Sequence, residues 1–139
     1  MSRGHLSAAA TPIADMEQAR FDRALGDLHF ADPRARVALS QDTALAIGFD
    51  GEVKLAMPAA AQALPETDRA AAAAVLFLDQ YGSLFGIAGW HVLEPRYASP
   101  LGATTWFTFA AETHVGELLV NVCAEADTVK HVRVERTAE

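Results

Sequence analysis

The sequence predicts an α+β protein with a five-stranded antiparallel sheet and the element order α-βββ-α-ββ-α. Two stretches, 13–28 and 65–85, have the composition and spacing of helices, and short apolar runs separated by turn residues lie between and after them. A chain of 139 residues with 51% hydrophobic and 21% charged residues has the size of one domain and enough apolar side chains to close a core. We therefore expect a single domain over 12–136, with flexible ends at 1–11 and 137–139.

The first helix is predicted to run from Ile13 to Leu28. Its apolar residues recur near the i, i+3, i+4 spacing of one helical face, and charged residues occupy the other face. Thr11 is a suitable N-cap, and Pro12 suits the first turn. Asp32-Pro33 then predicts the end of helical structure.

Three strands are predicted next, at Arg36–Ser40, Thr43–Phe49 and Glu52–Met57. In the second and third, apolar residues alternate as they do on one face of a half-buried sheet. Asp50-Gly51 between them is a strong hairpin signal, because glycine tolerates the positive φ of a type I′ turn. These features predict an antiparallel meander.

The second helix is predicted to begin at Pro65, with acidic residues in its first turn, and to end near Tyr81 or Phe85. The alanine run 70–74 lets this helix approach another surface closely. We therefore expect it to make the most intimate packing contact of the protein.

Two further strands are predicted at Ile87–Leu93 and Thr104–Ala111, joined by a connection over Pro95–Gly102. The last segment, His114–Arg136, permits two interpretations. Its apolar residues form one stripe at helical spacing, whereas its many valines favour a strand pair with Glu125–Thr128 as the turn. We favour the helix and keep the strand pair as the alternative.

Charge and cysteine content restrict the partners and the compartment. The net charge is −7 and the eleven basic residues are scattered, which disfavours nucleic acid and anionic membranes. The single cysteine, Cys123, allows no intrachain disulfide and fits a reducing compartment. No stretch has the pattern of a signal peptide or a membrane span. We expect a cytoplasmic protein.

No motif in the sequence predicts catalytic, cofactor or metal chemistry. Cys123 lies in a hydrophobic stretch without a recognisable nucleophile signature, and the five histidines are too far apart for a metal motif. The glycines at 82, 86 and 89 lack the features of a phosphate loop. A sheet flanked by few helices has edges and an apolar face to cover, so a protein partner is the better expectation.

The predicted element order resembles the class I chaperones of type III secretion, the Tir-chaperone family. Phe21–Leu28 is similar to the first helix of that family, which ends in a Leu-Gly turn. Thr43–Met57, with its Asp50-Gly51 turn, is similar to its hairpin. Ala70–Phe85 is similar to its second helix, and Leu118–Arg136 to its closing helix. The resemblance covers nearly the whole chain.

This resemblance implies a homodimer in the bacterial cytoplasm that holds the N-terminal segment of a secreted effector in extended, secretion-competent form. The mechanism would be strand addition with pockets for apolar side chains. By position, the residues expected to face the effector are Phe21, Leu25, Leu28, Leu45, Ile47, Val53 and Leu55. Those expected at the dimer interface are Val75, Leu78, Leu84 and Phe85.

The main alternative is a cystatin-like cone of the nuclear-transport-factor-like type, which binds or converts a small molecule. In that fold helices precede a curved sheet around a conical pocket, and the last segment would be two strands. The pocket candidates would be His91, Tyr97, Trp106 and His114. A third possibility is an immunity or inhibitor protein whose acidity matches a basic target.

Overall fold

The protein combines three α-helices with six strands in the described part of the chain. A computed structural model describes residues 3–41, 43–87, 95–113 and 116–136, and within them the side chains of 16–41, 43–87, 95–110 and 117–135. The elements are α1 (Arg3–Ala31), β1 (Arg36–Leu39), β2 (Ala46–Lys54), α2 (Ala59–Gln62), α3 (Glu66–Tyr81), a 3-10 helix (Gly82–Phe85), β3 (Tyr97–Leu101), β4 (Thr104–Thr113), β5 (Gly116–Glu125) and β6 (Thr128–Arg136). The α+β class is confirmed, but the described order is α-ββ-αα-ββββ.

All six strands form one antiparallel sheet in the order β1-β2-β6-β5-β4-β3. The prediction of five strands was therefore wrong by one strand. β6 pairs with β2, which joins the N-terminal hairpin to the C-terminal meander and leaves β1 and β3 as the two edges.

The hydrophobic core lies between one face of the sheet and the helices. Its largest fully buried side chains are phenylalanines from strands, from α3 and from the 3-10 helix: Phe49, Phe77, Phe85, Phe107 and Phe109. The Phe77 ring of α3 lies 5.3 Å from that of Phe49 and 4.9 Å from that of Tyr81, measured between centroids. α3 begins and ends close to the predicted positions.

Helix α1 begins at Arg3, ahead of the predicted start at Thr11-Pro12. The alanine run 8–10 favours helix upstream of the proline, so the helix continues toward the N-terminus. Ala24 and Leu28 are its buried core residues among those described. Ser83 of the 3-10 helix donates a hydrogen bond to the Arg20 carbonyl at 3.4 Å.

The predicted hairpin at Asp50-Gly51 is wrong, because β2 runs straight through these two residues. Gly51 does not adopt a positive φ. Instead, a Cβ at Gly51 would lie 2.5 Å from Asp32 Oδ2, which accepts a hydrogen bond from the Glu52 backbone N–H at 2.7 Å. The glycine therefore allows Asp32 to approach the strand closely, beside an irregularity in the β2–β6 pairing.

The connection predicted over Pro95–Gly102 contains strand β3, which pairs with β4 through a tight turn at Gly102-Ala103. Gly102 has a φ of 66°, which this turn requires and glycine tolerates. Pro100 is accommodated because β3 is an edge strand. Of the strand predicted at Ile87–Leu93, residues 88–93 lie outside the described residues.

The closing helix predicted over His114–Arg136 is wrong, and the alternative strand pair is confirmed. β5 and β6 are joined by a turn at Ala126-Asp127, where Ala126 has a φ of 52°. Paired valines stabilise the two strands, since Val120 faces Val134 and Val122 faces Val132. β-branched side chains pack better on this pleated surface than in a helix.

Among the described residues, the helices are too short or too polar to cross a membrane.

Candidate functional site: the open face of the sheet

One face of the sheet carries no described helix. The elements α1, α3 and the 3-10 helix all contribute to the core on the opposite face, where Phe49, Phe107 and Val132 point. Because side chains alternate along a strand, the neighbours of these residues point away from the helices. We call this second surface the open face; its central members are Asp50, Trp106, Thr108, Asn121, Cys123, His131 and Arg133.

Two rows of side chains cross the centre of the open face. In the first row Trp106 pairs with Cys123, Cys123 with His131, and His131 with Asp50, on four neighbouring strands. This register brings together a ring, a thiol, an imidazole and a carboxylate that lie far apart in the sequence.

In the second row Thr108 pairs with Asn121 and Asn121 with Arg133. The Thr108 hydroxyl donates to Asn121 Oδ1 at 2.7 Å, which fixes the Asn121 amide. Tyr97 of β3 extends this row to the edge of the sheet, since it pairs with Thr108.

Asp50 is the centre of a charged cluster between β2 and β6. Its Oδ1 accepts hydrogen bonds from His131 Nδ1 and Arg133 Nη2, both at 2.8 Å. Arg133 Nη1 also donates to the carbonyls of Val132 at 2.8 Å and Phe49 at 3.1 Å. Gly48 of β2 lies beside this guanidinium, where an added Cβ would be 3.8 Å from Arg133 Nη1, an ordinary van der Waals distance. We call Asp50, His131 and Arg133 the Asp50 cluster.

The cluster fixes the charge of Asp50 and the orientation of His131. The hydrogen bond from Arg133, followed by that from His131, holds the pKa of Asp50 below its ordinary value. An ionised carboxylate only accepts hydrogen bonds, so the Nδ1 atom of His131 carries a proton. In the neutral imidazole, Nε2 then holds the lone pair.

Cys123 is only 3% exposed although it points to the open face. The flanking Trp106 and His131 rings account for this, because their planes lie within 12° of parallel and their centroids are 6.1 Å apart. Strands β4 and β6 are separated by about 10 Å, which is twice the spacing between neighbouring strands. The rings therefore lean toward each other over β5 and cover the thiol.

The row Asp50, His131, Cys123 has the order of an acid, a base and a nucleophile, but its electrostatics do not favour nucleophilic catalysis. Burial raises the pKa of the Cys123 thiol, and a hydrogen bond with Thr104 offsets this only in part. A reactive cysteine needs the opposite, a lowered pKa and access to solvent. The described residues also contain no group of three His, Cys, Asp or Glu side chains that could hold a metal ion.

The two edge strands of the sheet, β1 and β3, differ in the features that prevent a further strand from pairing with them. β3 is exposed along its whole length and contains Pro100, which lacks a backbone N–H. β1 contains no proline, and an exposed leucine, Leu39, stands at its end, next to the exposed Ile47 of β2. In the described part of the chain, β1 is therefore the edge that lacks a proline and has exposed aliphatic side chains beside it.

The residues expected to face an effector differ in their burial. Leu28, Val53 and Leu55 lie in the core, so a partner cannot contact them on the folded chain. Partly buried positions are Phe21, Leu25 and Leu45, and only Ile47 is exposed, at 44%.

The residues expected at the dimer interface are mostly interior as well. Leu78, Leu84 and Phe85 are buried in the core of a single chain, and Val75 is partly buried against it. α3 thus makes its closest contacts with its own sheet.

Of the four pocket candidates, the structure brings two together. Tyr97 and Trp106 lie on the open face, on neighbouring strands β3 and β4. His91 and His114 lie outside the described residues. The pair faces away from the helices, so these rings do not line an interior between helix and sheet.

Sequence reasoning missed the Asp50 cluster. The sequence predicts a turn at Asp50 and a helix that contains His131 and Arg133. The alternation of His131 and Arg133 with Val132 and Val134 was the available signal, and it places both polar side chains on one face once the segment is taken as a strand.

Comparison with protein-family models, with curated proteins and with solved structures finds no match to this chain.

Proposed function

We propose that this protein is a non-enzymatic binding module that holds an extended segment of another polypeptide along β1. The observation that carries the proposal is the edge at β1, which no described strand pairs with on its outer side and which has Leu39 and Ile47 exposed beside it. Extended peptides bind such edges by main-chain hydrogen bonds, and neighbouring side-chain sites give specificity.

The difference between the two edge strands favours β1 over β3 as the binding site of the extended segment. Proline and charged side chains are common devices that prevent strand addition at an edge. Pro100 provides such protection in β3, whereas the four residues of β1 include one charge, Arg36, which points to the open face opposite Asp50. The helix-facing positions of β1 are Val37 and Leu39.

These positions define the chemistry of the bound segment. An added strand places every second side chain beside Val37 and Leu39, so we expect apolar residues at alternate positions. The chain carries a net charge of −7, which favours a neutral or basic segment.

A type III secretion chaperone is the specific form of this proposal. In that form the segment is the N-terminal part of a secreted effector, and the protein is a homodimer of the bacterial cytoplasm. The resemblance of α1, from Phe21 to Leu28, and of α3 to the helices of that family supports it. The closing helix that the resemblance implied is replaced by β5 and β6.

The second candidate is the nuclear-transport-factor-like small-molecule protein, which the two C-terminal strands favour. Its pocket would lie between the helices and the sheet. In the described part of the chain, five fully buried phenylalanines occupy this interior, and the one buried polar residue is Thr105. We therefore prefer polypeptide binding to small-molecule binding.

Hydrogen exchange with a peptide panel tests the proposal. The probes are synthetic 12-residue peptides, neutral or basic, with apolar residues at every second position, and the same compositions in scrambled order. We expect alternating peptides to slow amide exchange within 36–39 and to leave 97–101 unchanged. If no alternating peptide protects β1, the proposal is rejected.

Two leucines provide matched variants for this assay. Leu39 is 49% exposed at the end of β1 and Leu101 is 68% exposed at the end of β3. We expect Leu39→Lys to weaken peptide binding about tenfold or more, a loss of about 1.4 kcal/mol. Leu101→Lys should bind like the unmodified protein, and equal losses in both variants would refute the assignment to β1.

A further inference from the structure

We infer that a second copy of this chain covers the open face, with the two sheets packed face to face about a two-fold axis. This inference concerns a different surface from strand addition at β1 and does not depend on it. It replaces α3, whose Leu78 is buried in the core of one chain, as the expected site of dimerisation.

The composition of the open face differs from that of a sheet surface in water. Solvated faces of antiparallel sheets are predominantly polar. Here the outward positions at the centre of β4 and β5 include Trp106, Ala110, Leu119 and Cys123, and the charged outward residue Glu117 lies near the start of β5. Asn121 and Thr108 lie among them and are hydrogen-bonded to each other. Such a mixture of aromatic, aliphatic and amide groups is typical of the centre of a protein interface.

The charges on this face suit a copy of the same chain. Two molecules of net charge −7 repel each other over most of their surfaces. On the open face, Arg36 pairs across the strands with Asp50, and Arg133 lies near Asp50 and on the same strand as Glu135. Glu117, which the alternation of β5 also places on this face, forms an ion pair with Arg96 at 3.9 Å. These six formal charges sum to zero, so the open face can approach its own copy with less of the general repulsion.

The Asp50 cluster also lowers the cost of covering the face. A charge removed from water is destabilising unless it is already paired and hydrogen-bonded. Arg133 makes three hydrogen bonds within its own chain, and Asp50 accepts two. A second copy therefore meets charges whose hydrogen bonds are largely made before association.

The size of the face matches that of a stable dimer interface. β2, β6, β5 and β4 contain 9 or 10 residues each. At about 3.3 Å per residue and 4.8 Å per strand, they cover roughly 30 Å by 20 Å, and the shorter edge strands enlarge this area toward about 800 Å². Specific interfaces bury about 800 Å² on each partner.

Mass measurement with two arginine variants tests the inference. Static light scattering of the unmodified chain at tens of micromolar should give twice its 14.8 kDa. Ala110→Arg and Leu119→Arg place an extra cation on each copy of the face, where symmetry brings like charges together. We expect both variants to be folded by circular dichroism and monomeric by mass.

Leu64→Arg is the matched control, because Leu64 is 40% exposed and lies outside the sheet, between α2 and α3. It should remain dimeric. A monomeric unmodified chain, or dimers that persist in both open-face variants, would overturn the inference, as would dissociation by Leu64→Arg alone.

Oxidative footprinting gives a second measurement, and because it uses only the unmodified protein, misfolding of a variant cannot affect it. Mass spectrometry resolves Trp106 and Tyr97, and both should become less reactive when the protein is concentrated from the monomeric to the dimeric range. Unchanged reactivity in a protein that does dimerise would place the interface elsewhere.

The monomeric Ala110→Arg variant should still bind peptides at β1 if the proposed function is correct, which separates the two tests.

Discussion

The two faces of the sheet are built from alternating residues of the same strands, yet they differ in chemistry. The helix-facing side is nearly all hydrocarbon, with five fully buried phenylalanines. The open face mixes a half-buried tryptophan with an amide, an imidazole, a guanidinium and a covered thiol. The first face needs only to exclude water, whereas the second holds polar groups in fixed positions through hydrogen bonds. The comparison assigns the core to the helix-facing side, and the open face is the surface on which we infer that a second copy packs.

The largest expected effect comes from truncating one aromatic side chain on each face. Phe77→Ala leaves a cavity beside Phe49 and Tyr81 and should lower the free energy of unfolding by about 3–5 kcal/mol. Trp106→Ala removes a half-buried ring from the open face and should cost about 1–2 kcal/mol at concentrations where the chain is monomeric. Urea denaturation measures both. Equal losses would mean that the open face contributes to the monomer core, contrary to the comparison.

A smaller effect is expected from two glycines with positive φ. In Gly86→Ala the new Cβ would lie 2.6 Å from Leu45 Cδ1 on the helix side, whereas at Gly102 nothing lies within 4 Å. Both variants incur the left-handed strain of about 1 kcal/mol, and Gly86→Ala must also displace Leu45, for a total of about 2–3 kcal/mol. Thermal and urea unfolding compare the two. A similar loss for both would show that Leu45 moves at no cost and that packing there is loose.

The smallest effect concerns the Asp50 cluster and depends on pH. Because the pKa of folded Asp50 lies below its ordinary value, its contribution to stability is present above that ordinary value and is lost as pH falls through the lowered pKa. The Asp50 side chain is 36% exposed, so solvent screening limits the contribution to about 0.5–1 kcal/mol. Asp50→Asn should therefore be less stable than the unmodified chain at pH 7 and equally stable at pH values below the lowered pKa.

Two neighbouring variants refine this measurement. Arg133→Gln should remove more of the pH dependence than His131→Gln, since the hydrogen bond from Arg133 is the larger cause of the lowered pKa. Urea titrations at a series of pH values provide the data. A stability gap for Asp50→Asn that persists unchanged at the lowest pH would contradict the assigned ion pair.

Signals that act over a few residues of sequence correctly predicted α3, β1 and β4. α3 has Pro65 before its first turn and acidic residues within it, and both signals act within a few residues. β1 and β4 likewise follow from short apolar runs. The Asp50-Gly51 hairpin does not form, because in the folded chain Asp32, which follows α1, lies against Gly51 and His131 of β6 donates a hydrogen bond to Asp50.

The candidate site was harder to predict than the fold, because its members meet only through register. Asp50 and His131 are separated by 81 positions and become neighbours when β6 pairs with β2. Under the nuclear-transport-factor-like alternative the sequence predicts Tyr97 and Trp106 as pocket residues, but only the sheet determines that they point away from the helices. The pattern predicts a helix over His131 and Arg133, and a helix has no pairing register with β2. The Asp50 cluster therefore could not be predicted from the sequence.

By itself the sequence determined the α+β class, the position of α3 and the need to bury a large apolar surface, since propensity and periodicity act over a few residues. The tertiary structure alone decided that Gly116–Glu125 and Thr128–Arg136 are strands, because the valines of β5 and β6 gain their packing only from each other and from the helix layer. It also decided which alternating residues face water. A one-residue change of register would move every side chain of a strand to the other face, and only pairing across the sheet fixes that register.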